Sequence, residues 1–140
     1  MIQDKWMVNM LSDVDAAYLA AFVDGEGCIF IDKEPKAHRL RVSIGNTFPG
    51  IMDWVYFVVG HGSISKKKKR ESHHKDMWVW SLSGRRAINF LYQIYPYLRI
   101  KKLQAEVAFE FGETVKNEVI SDDIMMFRTE LKHKMTALNN

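Results

Sequence analysis

Apolar positions along this chain switch between a helical period and a two-residue period, and the switches mark out the elements. Ser12-Asp13-Val14-Asp15 opens a helix, a capping residue followed three positions later by an acid, and Gly25 and Gly27 stop it. Within it Leu19, Phe22 and Val23 make a core stripe. Ala17, Ala20, Ala21 and Asp24 make a second stripe of mostly very small side chains, which lets another backbone come close. Residues 28–34 and 39–47 then alternate as two strands joined across Pro35-Lys36-Ala37; Leu40, Val42 and Ile44 point one way, Arg39, Arg41 and Ser43 the other. A helix over 49–59 starts at Pro49 and ends at Gly60 and Gly62. A second hairpin follows, with strands over 62–67 and 77–82, in which Trp78, Trp80 and Leu82 face the core and Met77, Val79 and Ser81 face away.

The parity of the third strand decides what its lysines do. With Ile64 inward, Ser65, Lys67 and Lys69 share the exposed face and Lys66 and Lys68 point at the core, where an unpaired ammonium is costly. The strand must therefore outrun its core, which makes Lys66 to Arg70, with His73 and His74, a projecting cationic tip. Helices over 85–95, 102–115 and 122–138 complete an α-β-β-α-β-β-α order with one further helix. The fold class is α+β: four antiparallel strands with helices on one face and the other face open.

At 140 residues, with no linker composition and no repeat, the chain fits a single domain. No apolar run is long enough for a membrane span, and the first residues carry Asp4 and Lys5, so neither a span nor a secretory signal is expected. One cysteine, Cys28, allows no internal disulfide and no finger-type zinc site. These features read as a soluble intracellular protein with no membrane partner. The net charge of +3 hides a segregation: from Lys33 to Lys102, 15 Lys and Arg stand against four acids, a balance of +11, leaving −8 for the rest. A middle section that basic, with aromatics interleaved, is the footprint of a polyanion partner.

The residues Leu19-Ala20-Ala21-Phe22-Val23-Asp24-Gly25-Glu26-Gly27 resemble the signature of the LAGLIDADG homing endonucleases, and the element order over about residues 13 to 111 is similar to that family's αββαββα unit. The resemblance implies a four-stranded saddle sheet that dimerises through the signature helix, with Ala17, Ala20, Ala21 and Asp24 at the interface. It further implies Glu26 as the direct metal ligand, assisted by the Gly25 carbonyl, with Asp24 as a secondary acid. Asn46 stands where family members carry a Gln or Asn that positions the water network. Lys101, in Pro96-Tyr97-Leu98-Arg99-Ile100-Lys101-Lys102-Leu103, would stabilise charge near the scissile phosphate. Ala21 departs from the family's usual glycine, and Glu26 is a common variant of its aspartate.

Elementary chemistry agrees with these roles. Two such helices related by a two-fold axis would bring two carboxylates together, which is unfavourable unless divalent cations lie between them. Such metals polarise a phosphoryl oxygen, activate water and stabilise the leaving oxygen. The implied cofactor is Mg²⁺, with Mn²⁺ as a substitute and Ca²⁺ binding without supporting cleavage. The one other echo of the signature, Ala108 to Glu113, lacks the acid before its glycine, so the chain is expected to act as a homodimer on a near-palindromic site.

The open sheet face is expected to read double-stranded DNA in the major groove. Cys28, Phe30, Asp32 and Glu34 share its parity on the first strand, Arg39, Arg41 and Ser43 on the second, Ser65, Lys67 and Lys69 on the third, and Met77, Val79 and Ser81 on the fourth, with Arg70 at the tip. Arginines suit guanine edges, acids suit cytosine amino groups, and the tip lysines suit phosphates. The expected activity is a site-specific, metal-dependent endonuclease that cuts both strands, leaving short 3′ overhangs as the family does. A second class stays open: an RNA maturase that assists intron splicing, or a DNA-binding protein that does not cut. The intact Asp24-Gly25-Glu26-Gly27 with Lys101 favours the enzyme.

Overall fold

The computed structural model describes residues 5–34, 37–67, 75–115 and 120–140. Its elements run α1 (Asp13–Glu26), β1 (Gly27–Glu34), β2 (Ala37–Asn46), α2 (Pro49–Val59), β3 (Ser63–Lys67), β4 (Met77–Ser83), α3 (Gly84–Ile94), a 3₁₀ turn (Tyr95–Tyr97), α4 (Lys102–Thr114) and α5 (Asp122–Asn139). The predicted order is reproduced element by element. The Pro35-Lys36 turn and most of the predicted cationic tip, with Lys68, Lys69, Arg70, His73 and His74, lie outside the described residues.

The four strands form one antiparallel sheet in the order β1-β2-β4-β3. One face of it carries the core. Ile29, Ile31, Leu40, Val42, Ile44, Trp80 and Leu82 point inward and join Leu19, Val23, Phe90, Leu91 and Phe111 of the helices in a single apolar cluster. Trp80 is fully buried; its ring meets Phe90 edge-on at 5.4 Å and its indole N–H donates to the His61 carbonyl at 3.0 Å. Gly62 has φ +114°, and a side chain there would collide with the Trp80 ring, so this turn demands glycine on two counts.

Two expectations about α1 are corrected. Of the two glycines expected to stop the helix only Gly27 does: it is the cap, and the helix runs through Gly25 to Glu26, its last residue. The start is as predicted, with the Ser12 hydroxyl accepting from the Asp15 N–H at 3.1 Å. The helix is also rotated relative to the predicted stripes. Ala16, Leu19, Ala20 and Val23 are buried and Phe22 is only partly covered. The small residue Ala20 thus lets α1 approach its own sheet. Gly27 extends that approach, since a Cβ there would lie 2.8 Å from the Val23 Cα and 2.9 Å from the Ser43 carbonyl.

The third strand outruns its core as its parity required. Lys66 stands opposite Trp78 at the half-exposed end of the sheet, its ammonium 5.4 Å from that ring and 3.2 Å from an Asp76 carboxylate oxygen. The fifth helix covers the outer edge of β1. Lys132 Nζ donates to the Ile31 carbonyl at 3.1 Å and Asn139 Nδ2 to the Ile29 carbonyl at 2.9 Å, which satisfies acceptors that an edge strand leaves open.

Candidate nucleic-acid interface and catalytic end

The C-terminal turn of α1 is locked to the loop before α4 by one carboxylate. Asp24 accepts from the Arg99 N–H at 2.8 Å through one oxygen and from the Lys101 N–H at 3.0 Å through the other. The Lys101 ammonium in turn donates to the Asp24 carbonyl at 2.7 Å, where a cation also suits the negative end of the helix dipole. Asp24 is therefore a clamp. Both of its oxygens are engaged by amide donors, which gives it an anchoring part at this turn. Lys101 and the turn that carries Gly25 and Glu26 come together as expected, and both of those residues are exposed.

Asn46 closes β2, and its side-chain oxygen accepts from the Phe48 N–H at 2.8 Å, so it turns the chain into α2. Cys28 is the second residue of β1, two positions after Glu26. Burial pushes its thiol above the usual range, and the Lys101 charge only partly offsets that. The hard oxygens of the Glu26 carboxylate and the Gly25 carbonyl are donors suited to Mg²⁺. Among the described residues no three His, Cys, Asp or Glu gather to hold a metal.

The outward face of α1 is largely exposed, although the Tyr18 ring meets Trp54 of α2 edge-on at 5.2 Å. Val14 is 79% exposed and Tyr18 53%, and with Ala21 and Gly25 they follow one another at helical spacing. A cleft of about 580 Å³ runs alongside, lined by Ala17, Ala21, Asp24, Tyr97, Arg99 and Lys102. Of the four residues assigned to the interface, Ala17, Ala21 and Asp24 lie on this side; Ala20 is fully buried in the chain's own core and is corrected.

The open sheet face has the predicted parity. Cys28, Phe30, Asp32, Arg39, Arg41, Ser43, Ser81, Ser65, Lys67 and Met77 all keep some exposure on it. Glu34 pairs with Ala37 at the end of the ladder. Register sets side chains in rows across the strands: Cys28, Ser43, Ser81 and Ser63 make one and Phe30, Arg41 and Ser83 another. Asp32 and Arg41 pair through Oδ2 and Nε at 2.5 Å, so the acid presets the guanidinium. Val79 is the exception. It lies on the open-face parity of a central strand between Gly45 and Ser65, and it is buried. The Asp24 clamp and the edge contacts of α5 were not legible in the sequence, because both join residues more than 70 positions apart.

No family model matches the chain, and no curated protein does. Solved structures do. The homing endonuclease I-CvuI in complex with its target, in the presence of Ca, is similar at TM-score 0.74 and 23% identity, over 89% of this chain and 82% of that one. The archaeal intron-encoded homing endonuclease I-Vdi141I, complexed with DNA, is similar at TM-score 0.76 and 17% identity, over 90% and 84%. The LAGLIDADG meganuclease I-AabMI, bound to uncleaved DNA, is similar at TM-score 0.66 and 18% identity, over 84% of this chain but 43% of the other. With one signature helix, two hairpins and the same element order, the chain has the fold of the LAGLIDADG homing endonucleases.

Proposed function

We propose that this protein is a homodimeric, Mg²⁺-dependent endonuclease that cuts both strands of a long, near-palindromic DNA site. The observation that carries the proposal is one juxtaposition: an exposed Glu26 ends a helix whose outer face is largely exposed, with the Lys101 ammonium held on the same turn. Two copies packed through Val14, Ala17, Tyr18 and Ala21 would bring two Glu26 carboxylates to one seam. Among the described residues of one copy no three such side chains gather, and the pair together with DNA phosphate would add donors. The solved relatives bound to DNA support the same partner.

In this reading the open face sets the site against the duplex. Arg39 and Arg41 read base edges, Lys67 positions a phosphate, and Asp32 holds Arg41 in place. The Glu26 carboxylate and the Gly25 carbonyl are the groups that would hold Mg²⁺, which would supply charge neutralisation and an acidified water. Asn46 orients solvent, and Lys101 faces the charge that develops on the phosphoryl group. Asp24 keeps Lys101 in position.

The test is cleavage of a randomised duplex library by the wild type and by Glu26→Gln, with Mg²⁺ or Ca²⁺, alongside mass by light scattering. A dimer that makes site-specific double-strand cuts with Mg²⁺, binds without cutting in Ca²⁺ and loses at least about a thousandfold in cleavage rate on Glu26→Gln supports the reading. Tight site selection by the wild type with no cut in Mg²⁺ or Mn²⁺ sinks the enzyme and leaves a binding protein or an RNA maturase.

A further inference from the structure

Away from the catalytic end, the start of α3 borders a cavity of about 380 Å³ whose surroundings are cationic and incompletely satisfied. After β4 ends at Ser83, opposite Arg41, the chain turns off at Gly84 into α3, and residues 37–40 of β2 continue with only β1 beside them. The cavity fills that gap, lined by Trp6, His38, Ser83, Arg85, Arg86 and Phe111 among others.

Three observations in and beside the cavity point to an anion site. His38 is 6% exposed, faces the cavity, and neither of its ring nitrogens has a hydrogen-bond partner. Such a group ordinarily finds one. Arg128 is 4% exposed; its guanidinium is held by the Thr114 hydroxyl at 2.8 Å and the Thr114 carbonyl at 3.2 Å and lies over Phe111, with no carboxylate partner among the described residues. A buried cation without a counter-charge is expensive. Third, α3 starts with no side-chain cap and no acid in its first turn, and carries two arginines there instead. Arg85, Arg86 and Lys5 all crowd the Trp6 ring, at 5.6, 5.6 and 4.9 Å, and the Nε of Arg86 is buried and unbonded. Free helix N–H groups, the dipole and this excess of cations all favour the same guest.

We propose that this cavity binds a tetrahedral oxyanion of the phosphate class. The oxyanion accepts from the His38 N–H, from the first N–H groups of α3 and from Arg85, with Arg86 beside it, and offsets the charge of Arg128. Arg39 lines the cavity and also belongs to the open sheet face, so a DNA backbone phosphate and a free phosphate are the two sources of that chemistry.

The probe is inorganic phosphate, titrated into the intact protein against chloride at matched ionic strength, read by thermal shift and by the His38 ring-nitrogen NMR signals. A saturable rise in Tm and a saturable His38 shift are expected. Arg85→Gln, at an exposed position, should raise the phosphate midpoint about tenfold, the loss of one charge-assisted hydrogen bond. His38→Phe should abolish the thermal response; if that variant does not fold, Arg85→Gln carries the test. No saturable response in the wild type, or an identical midpoint in Arg85→Gln, overturns the site.

A second arm identifies the source and rests on the DNA-binding reading. If backbone phosphate fills the site, target duplex suppresses the phosphate response and Arg85→Gln lowers the slope of log K against log salt by about one. If free phosphate fills it, the response persists in the complex. Both results keep the site, and a chain that takes phosphate but no duplex retains the site while the nuclease reading fails.

Discussion

Asp24 joins two distant stretches of sequence through a single side chain, so its replacement separates positioning from metal binding. Asp24→Ala removes the acceptor for two amide donors, one of them partly buried, and should cost about 1–3 kcal/mol in urea unfolding. Cleavage should fall further than that loss explains, because Lys101 is no longer held, while Ca²⁺-supported DNA binding stays. A large loss of Ca²⁺-dependent binding would instead make Asp24 a ligand. His38 sets a pH dependence. Burial lowers its pKa from the ordinary 6.5, and the Lys33, Arg128 and Lys132 charges lower it further. Because the native state holds it neutral while the unfolded chain protonates near 6.5, its contribution is present above that pH and is lost as pH falls through and below it. Denaturant midpoints in phosphate-free buffer should therefore drop between about pH 7.5 and 5.5, and His38→Phe should flatten that drop.

At the scale of elements, α5 protects an edge. β1 is an outer strand, and two of its carbonyls are taken by Lys132 and Asn139 of a helix that follows the αββαββα unit. The double variant Lys132→Met, Asn139→Ala should lose about 1–3 kcal/mol and aggregate at a lower temperature, since an uncovered edge is a template for pairing. Unchanged stability and unchanged onset of light scattering would show that the apolar contacts of Leu131 and Met135 alone hold α5 in place. The first helix makes the complementary case. Its inner face is spent on the sheet, so Ala21→Glu, on the exposed outer face, should leave the monomer folded by circular dichroism but halve the mass seen in light scattering.

For the whole molecule, segregation of charge matters more than its net value. The cationic residues of the open face and the middle of the chain should make DNA binding fall steeply with salt, by about 0.9 log units per log unit of salt for each phosphate engaged. Lys67→Ala should reduce that slope by about one without changing the preferred sequence, whereas Arg39→Ala should relax preference at particular base pairs. A library selection at two salt concentrations reads both effects. If Lys67→Ala changed the sequence preference, β3 would be reading bases instead of positioning backbone.

Local signals were enough to write down every element, because capping residues, glycines and the alternation of β2 act over a few residues and need no partner. The same alternation placed Arg39, Arg41 and Ser43 on one face, and the nine residues ending in Gly27 pointed to the catalytic end. The rotation of α1 was decided only in three dimensions. That helix is apolar or small nearly all round, so its periodicity does not choose an inward face; contact with the sheet buried Ala20 and left Val14 and Tyr18 outside. Val79 followed its parity and was buried all the same, a side chain flanked by β2 and β3 at Gly45 and Ser65. The Asp24 clamp, the α5 edge contacts and the partnerless His38 beside Arg128 depend on the closure of long loops, and no local pattern of residues encodes which distant groups that closure brings together.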